Sequence, residues 1–466
     1  MIPVSCGDIA TIVKGELVGA DPSAVIDGPV VIDSRKAAPG GVFVALPGEH
    51  VDGHEYVGKA TEAGVAISLT SRAIEGSPCL VVENPQIALG LVAKYVMSKL
   101  PGCLVIGLTG SQGKTSTKDM IAQLLTPYGP TIAPEGSFNN ELGHPLTALQ
   151  ADENTRYLVA EMGAAQIGDI AYLAGITPPK IGIVLNVGTS HIEQFGGSQD
   201  NIALGKGEMV EALPEDGTAI LNADDPRVAA MADRTKAKVV TFSQNENADV
   251  RATDIVLDDQ ARAGFTLHLG GEQYAVQLQQ IGEHYVPNAL AAAAAAHAAG
   301  LDPQQVADGL NAATAGSKWR MEVTERPDGV TIINDAYNAN PESVRAALKA
   351  LAAIGRSRGA RTWAVLGEML SLGAASTELH DGIGRLAVRL DINRLIAVTE
   401  GARPIHLGAN LEGSWGNESV YAEDIDAALA ILRAELAPGD VVLVKASHAL
   451  AFEHLAEALI KDGETA

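Results

Sequence analysis

Short apolar runs of four to eight residues alternate along this chain with stretches of helical period, and the alternation changes character twice. Over the first eighty-odd residues, β-rich runs at 30–32, 42–45 and 79–82 are separated by turn clusters and one helical stretch, 54–63. After Asn84-Pro85 the spacing predicts an amphipathic helix over 86–100, stopped by Pro101-Gly102. From Cys103 onward, runs at 104–108, 157–160, 181–186, 218–221 and 239–242 alternate with helical segments, the pattern of a parallel sheet covered on both faces. A more β-rich stretch over 248–279 follows, then an Ala-rich tract, 289–300, that reads as a buried helix. Past Gly316 a second alternating set appears, with strands near 330–334, 362–366, 394–398 and 440–445 and helices such as 341–354 and 424–435. No fixed-period repeat is visible. The predicted fold class is α/β in three domains: a small N-terminal α/β unit over 1–84, a central parallel-sheet domain over 85–316, and a Rossmann-like domain over 317–466.

In such sheets ligands sit outside the carboxyl ends of the strands. Polar residues cluster at those ends here, at 109–116, Glu161, 186–191 and 222–225. The rim is therefore the place to look for chemistry.

Composition narrows what that chemistry can be. The 466 residues are 47% apolar and 19% charged, ample for several packed cores and unlike a disordered chain. Thirty-three basic against fifty-seven acidic residues give a net charge of -24, which repels nucleic-acid phosphates and anionic lipid over most of the surface. A nucleic-acid partner is excluded on that ground. A nucleotide would need a local device of backbone N–H groups, a few lysines or metal ions. The three cysteines, Cys6, Cys79 and Cys103, have no zinc or redox spacing, so a reducing compartment is expected. Residues 1–20 contain Asp8 and Glu16 and lack a signal-peptide pattern, and the longest apolar tract is too short to cross a bilayer. The expectation is a cytoplasmic protein with no membrane span.

The run Cys103-Leu-Val-Ile-Gly-Leu-Thr-Gly110-Ser111-Gln112-Gly113-Lys114-Thr115-Ser116 places a strand, a glycine-bearing turn and a helix start in the order a phosphate cradle needs. Glycines let backbone approach an anion, the helix start supplies free N–H groups, and Lys114 reaches the outer phosphates. Thr115 is placed to hold Mg²⁺. The spacing departs from the general phosphate loop, since only G-x-x-G-K-T is present. Glu161 ends an apolar strand and emerges at the same rim, as does His191 after Asn186-Val-Gly-Thr-Ser, and two such groups beside a phosphate loop suggest metal ligands. Lys206, in Leu204-Gly-Lys-Gly-Glu208, reads on its own as a solvated lysine.

The motif set resembles the Mur ligase family, over nearly the whole chain. The family's short loop T-G-x-x-G-K-T matches Thr109 to Thr115, so the irregular spacing becomes part of the likeness. The resemblance implies that Glu161 and His191 bind magnesium and that Lys206, in the family's K-G-E run, is carbamylated and helps hold a second Mg²⁺. Asn288, in Gly282-Glu-His-Tyr-Val-Pro-Asn288, corresponds to an adenine contact; Arg320 to a phosphate contact; and Asp335 and Tyr337, in Asn334-Asp-Ala-Tyr-Asn-Ala-Asn-Pro341, to contacts with ribose and base. Without the family, Arg320 reads as a boundary surface arginine, and the last run as a strand followed by a helix with Pro341 at its start.

Two further runs resemble the branch of the family that adds a dipeptide. In Gly136-Ser-Phe138-Asn139-Asn140-Glu141 the paired asparagines would face the acceptor peptide, although a glycine-rich turn before a helix is an equally physical reading. Ser34 and Arg35, in Asp33-Ser-Arg35, resemble the UDP-binding domain, so 1–84 is expected to bind the UDP end of the acceptor, 85–316 to bind ATP, and 317–466 to close over the nucleotide. Lys445 and Ser447 match a K-G-S-R run and are candidates for contacts with the incoming dipeptide or the transferred phosphate, but His448 stands where the family usually has arginine. The resemblance thus implies an ATP- and Mg²⁺-dependent ligase that joins UDP-MurNAc-tripeptide to D-Ala-D-Ala through an acyl phosphate, acting as a monomer. A single-amino-acid ligase of the same family and a non-catalytic nucleotide-binding protein on the same fold are the competing readings.

Overall fold

The computed structural model describes residues 1–48, 51–134, 136–245, 247–413, 416 and 418–464. Near the N-terminus a five-stranded sheet runs in the order Glu16–Val18, Cys79–Val81, Ile67–Thr70, Val42–Val44, Val30–Val31, parallel except for its first pair. Beside it lies the two-stranded pair of Val4–Ser5 and Val25–Ile26. The predicted helix over 54–63 is a 3-10 turn, Gly53–Tyr56, running into an α-helix, Val57–Glu62. Helix Cys6–Val13 had no clear sequence signal: it is one short turn pair, fixed by the Ser5 hydroxyl accepting from the Asp8 N–H at 3.0 Å.

Helix Pro85–Ser98 begins where expected, because the Asn84 side chain accepts from the Gln86 and Ile87 N–H groups and proline occupies the first turn. Its apolar face is shared. Ala88, Leu89, Val92 and Val96 join one continuous core that also contains Ile9 and Leu80 on one side and Leu158, Leu173 and Met209 on the other. Packing of this kind holds the N-terminal sheet against the central one.

The central sheet has nine strands, in the order Glu272–Ile281, Arg262–Leu269, Val250–Leu257, Lys238–Ser243, Thr218–Asn222, Ile181–Val184, Leu104–Thr109, Tyr157–Glu161, Thr131–Ile132. From Thr131–Ile132 through Val250–Leu257 every pairing is parallel. The β-rich stretch then turns back on itself twice, so the last two strands extend the same sheet in antiparallel fashion. Helix Tyr285–Ala298 buries Ala289 to Ala296 completely or nearly so, and small side chains let it lie close to both the sheet and helix Lys114–Leu125.

The C-terminal sheet runs Glu322–Glu325, Thr331–Asn334, Val441–Lys445, Thr362–Leu366, Arg394–Val398, Ser419–Ala422, all parallel except the first pair. The last strand in sequence, Val441–Lys445, inserts between the second and the fourth in space. Strand order reverses there, which opens the ligand crevice of this fold type and aims Asp335 and Lys445 into it. Helix Pro341–Arg358 starts with a capping box of Asn340 and Ser343 and ends on Gly359 at φ 61°. Among the described residues no helix is long and apolar enough to cross a membrane.

One buried carboxylate ties this last sheet together. Asp440, 3% exposed, accepts from Arg361 Nε at 3.0 Å and Nη2 at 2.6 Å, from Trp363 Nε1 at 3.0 Å and from the Ala437 N–H at 2.9 Å. Asp440→Ala strands the indole N–H in the core and is expected to cost about 2–4 kcal/mol. Urea unfolding followed by tryptophan fluorescence measures this, and a loss below about 0.5 kcal/mol, the range of an ordinary surface substitution, would contradict it.

Candidate active site

Parallel register decides what meets at the rim. Leu108 pairs with Glu161 and Thr109 with Val184, so the chain leaves all three strands at one level. The loop after Thr109 turns into helix Lys114–Leu125 through Gly113 at φ 80°. A Cβ there would lie 2.3 Å from Asn288 Oδ1, so only glycine lets Asn288 close on the loop. Asn186, just past its strand, accepts with Oδ1 from the Ser111 N–H at 2.9 Å and the Gln112 N–H at 3.0 Å, and returns a bond from Nδ2 to the Gln112 carbonyl at 3.1 Å. That side chain fixes the loop's curvature.

Lys114 Nζ donates to the Gly110 carbonyl at 2.9 Å across the loop mouth. Burial, reinforced by Arg320 and opposed by Glu161, lowers its pKa, so a dianionic phosphate beside it would regain a charge the fold holds at a cost. Thr115, 2% exposed, donates to Glu161 Oε2 at 2.9 Å and shares a hydrogen bond with Ser137 Oγ, also 2.9 Å away. Glu161, 1% exposed, receives Asn139 Nδ2 on its other oxygen at 2.7 Å. Thr115 and Glu161 thus present oxygens at a single point, the donor type a hard divalent cation requires.

Lys206 is 4% exposed on helix Gln199–Glu211, and its ammonium has no hydrogen-bond or ion-pair partner among the described residues. Burial and the nearby Lys114 bring its pKa down to about 7. A solvated lysine, the reading its sequence context alone supports, is thereby corrected. Its neighbour Glu208 has a different task, accepting from the Gly168 N–H at 2.6 Å and the Ala171 N–H at 2.9 Å to cap helix Asp169–Ile176. His191 takes a left-handed backbone, φ 59°, and burial with Lys114 and Lys206 nearby lowers its pKa, favouring the neutral ring that can ligate a metal.

Two cavities meet here. One, about 690 Å³, is lined by Gln86, Ile87, Asn140, Glu141, Gly163, Asp169, Tyr172 and Lys206. The other, about 310 Å³, is lined by Gly113 to Ser116, Ser137, Glu161, Asn288, Arg320, Asp335, Tyr337 and Lys445. Ser111, Lys114, Asn139, His191 and Asn338 belong to both walls. The arrangement is two rooms with one doorway, and the doorway holds the lysine of the phosphate loop.

The remaining residues singled out from the sequence divide. Arg320 donates to Ser137 Oγ at 2.9 Å and lies over the Tyr337 ring, 4.2 Å from its centre, in the smaller cavity. Asp335 and Lys445 form an ion pair at 2.7 Å, and Lys445, 3% exposed, also donates to the Asn338 carbonyl at 2.7 Å. Ser447 accepts from the Leu370 N–H at 3.0 Å. His448 stacks on Tyr337, ring centres 5.2 Å apart, which gives the position a contact to the nucleotide-side aromatic despite the missing arginine. Asn139 steadies Glu161, whereas Asn140 accepts from the Leu142 and Gly143 N–H groups and caps the following helix, and Phe138 is half exposed. Ser34 and Arg35 do not line either cavity; among the described residues the Arg35 side chain is paired with Asp33 at 2.8 Å and is largely open to solvent.

Sequence reasoning missed four groups. Ser137 links Thr115 to Arg320; Asn186 shapes the phosphate loop; and Lys118, buried, anchors the following loop through the Pro134 carbonyl at 2.5 Å and the Gly136 carbonyl at 3.2 Å. Tyr285, whose hydroxyl pKa burial pushes up to about 12, lies beside the loop in the smaller cavity with Ser116. Lys118 stands one helical turn after Lys114, Asn186 lies in the strand-end cluster 186–191, and Ser137 and Tyr285 lie in runs read for other residues.

Family models for the Mur ligase family, catalytic domain, the Mur ligase middle domain and the Mur ligase, glutamate ligase domain match residues 29–100, 108–296 and 319–448 in turn. The UDP-N-acetylmuramoyl-tripeptide--D-alanyl-D-alanine ligase of Mycobacterium tuberculosis is 47% identical, covering 99% of this chain and 98% of that protein. The chain belongs to the Mur ligase family. Among solved Mur ligases, MurF from Acinetobacter baumannii superposes with a TM-score of 0.87 at 31% identity over 98% of this chain and 99% of that one. MurF from Thermotoga maritima in complex with ADP gives 0.80 at 27% identity over 94% and 99%. The three-domain α/β architecture is thus that of the family.

Gly113→Ala places a side chain at left-handed φ and against Asn288, a strain of about 1–3 kcal/mol. Nucleotide affinity should fall by roughly tenfold or more, read as the Kd for ADP by calorimetry. Wild-type affinity in that variant would remove the phosphate-cradle assignment.

Proposed function

We propose that this Mur ligase uses ATP to join UDP-MurNAc-tripeptide to D-Ala-D-Ala, completing a soluble precursor of peptidoglycan in the cytoplasm. Identity of 47% to a ligase named for that reaction, sustained over 99% of the chain, carries the reading. The two-cavity geometry supports its details.

A carboxylate is a poor electrophile until one oxygen becomes part of a leaving group. ATP lies in the smaller cavity, phosphates on the N–H groups of 110–116, adenine against Asn288, and ribose and base beside Asp335 and Tyr337. The tripeptide end of the acceptor lies in the larger cavity, its carboxylate at the doorway beside Lys114 and its nucleotide end toward the N-terminal sheet. A carboxylate oxygen attacks the γ-phosphorus in line, and ADP leaves. The amine of D-Ala-D-Ala then attacks the acyl carbon, a proton leaves the nitrogen, and inorganic phosphate departs as the amide forms. Lys114 and Arg320 neutralise charge as it shifts toward the β,γ-bridge, while positioning supplies much of the rate.

Two Mg²⁺ ions belong to this reading. Thr115 and Glu161 would hold one, and His191, with a carbamate on Lys206, would help hold the other. Bound there, the metals supply charge neutralisation for the phosphoryl oxygens. The carbamate reading draws on Lys206 being buried and, among the described residues, without an anionic partner, with a pKa of about 7, because a neutral amine is the form that adds to CO2. An ammonium at that point would repel a cation; its carbamate would attract one.

Phosphate release should require both UDP-MurNAc-tripeptide and D-Ala-D-Ala. Equal rates with a single amino acid in place of the dipeptide would sink the assignment in favour of a single-residue ligase. Lys206→Ala should lose at least roughly a hundredfold in kcat and recover part of it with millimolar formate or acetate. In wild-type enzyme freed of CO2, stimulation by bicarbonate should rise from about pH 6 to about pH 8 as the Lys206 amine loses its proton. A Lys206→Ala enzyme at full rate, or no response to bicarbonate anywhere in that range, would dispose of the carbamate.

A further inference from the structure

The start of helix Pro341–Arg358 belongs to the C-terminal domain, yet its polar groups are spent on the central one. Glu342 Oε1 accepts from the Thr189 N–H at 3.1 Å and from Thr189 Oγ1 at 2.9 Å, and Oε2 accepts from the same hydroxyl at 3.1 Å. Asn340, while capping its own helix, donates through Nδ2 to Ser190 Oγ at 2.7 Å. A Cβ on Gly188 would come within 3.0 Å of the Glu342 carboxyl carbon, so the carboxylate lies flat against backbone.

What these two side chains grip is the outer support of the phosphate loop. The Gly188 N–H donates to Ser111 Oγ at 2.8 Å, and Ser190 Oγ donates to the Ser111 carbonyl at 3.1 Å. Asn186, two residues earlier, holds the Ser111 and Gln112 N–H groups, and His191 is the next residue on. Ser190 therefore bridges directly from Asn340 to the phosphate loop. The segment 186–191 has no regular secondary structure of its own. Its first half is held by the loop and by Asp225, whose carboxylate accepts from the Val187 N–H at 2.7 Å, and its second half by the C-terminal domain.

We propose that Glu342 and Asn340 form a clasp of positioning residues that couples docking of the C-terminal domain to the working shape of the phosphate loop and His191. The proposal rests on the ligase reading above and names the contacts through which closure reaches the reacting phosphate. With the domain undocked, Thr189 and Ser190 lose three acceptor bonds and one donor bond from Glu342 and Asn340, so the 189–191 end of the segment, with His191, loses its outer support while Asp225 still holds Val187. A displacement of about an ångström at such a site is enough for a large loss of rate. The charge of Glu342 also suits its place, since a carboxylate in the first turn meets the positive end of its own helix.

Steady-state kinetics and solution X-ray scattering on the full-length protein test this. Glu342→Ala should lower kcat roughly tenfold or more while the KM values for ATP and the UDP-linked acceptor stay within about threefold. Glu342→Gln keeps an oxygen that can accept from Thr189 and should regain most of the rate, which loss of folding could not do. Combining Glu342→Ala with Thr189→Val should be no slower than Glu342→Ala alone, because both remove the same contact. Scattering should show the Ala variant more expanded than wild type, with Gln between. An Ala variant that matches wild type in kcat, one that expands at unchanged kcat, or a double variant whose loss is the product of the single losses overturns the clasp. Should the wild type itself fail to couple the two substrates, the ligase reading falls first. Scattering and ADP affinity of the same variants would still judge the clasp.

Discussion

The buried carboxylate of Glu161 organises the catalytic rim. A carboxylate 1% exposed must have its oxygens met by donors, and here each donor comes from a different segment: Thr115 from the helix after the phosphate loop, Asn139 from the loop that leads into helix Gly143–Ala148. Satisfying one charge therefore fixes two segments relative to a strand. From Thr115 the network continues to Ser137 and on to Arg320, which crosses into the C-terminal domain. The reacting region is assembled around an anion that the fold cannot leave unpaired.

Charge placement explains how an acidic protein handles anionic substrates. With a net charge of -24, long-range attraction cannot gather nucleotides to the surface. The cations that matter are instead short-range and enclosed: Lys114 and Lys206 without carboxylate partners at hydrogen-bond distance, Arg320 against Tyr337 and Ser137. Burial lowers the pKa of both lysines, so the protein holds their charge at a cost that a bound phosphate relieves. Lys445 differs. It is paired with Asp335 at 2.7 Å and donates to the Asn338 carbonyl, contacts that hold the segment 335–338.

Much of this was legible in the chain. Strands over 362–366 and 394–398 coincide with the observed Thr362–Leu366 and Arg394–Val398, because fully buried parallel strands read as unbroken apolar runs. Lys114, Thr115, Glu161, His191 and Asn139 do converge on the two cavities. Groups that went unread act through partners distant in sequence. Glu342 finds Thr189 across 153 positions and Arg320 finds Ser137 across 183, and no local spacing encodes either. Of the short N-terminal strands, Val30–Val31, Val42–Val44 and Cys79–Val81 read as unbroken apolar runs, whereas Val4–Ser5 and Glu16–Val18 each carry a polar residue and Val25–Ile26 is only two residues long, so they did not stand out. The paired asparagines looked alike in sequence, but the backbone gives Asn140 a capping task and leaves Asn139 to hold Glu161.

The shared doorway between the cavities limits what a reactive intermediate can do. In the proposed reaction the acyl phosphate would have its phosphate among the loop N–H groups and its acyl carbon in the larger cavity, so the amine would enter from the acceptor side. Water could take the same route unless something occupies the space. Asn338 contributes to both walls and belongs to the C-terminal domain, as do Tyr337 and Lys445 on the nucleotide side. Neither room is therefore complete until that domain is docked, and water exclusion and phosphate positioning depend on one contact surface. On the proposed mechanism, sharing residues between docking and chemistry would limit hydrolysis of the intermediate by geometry.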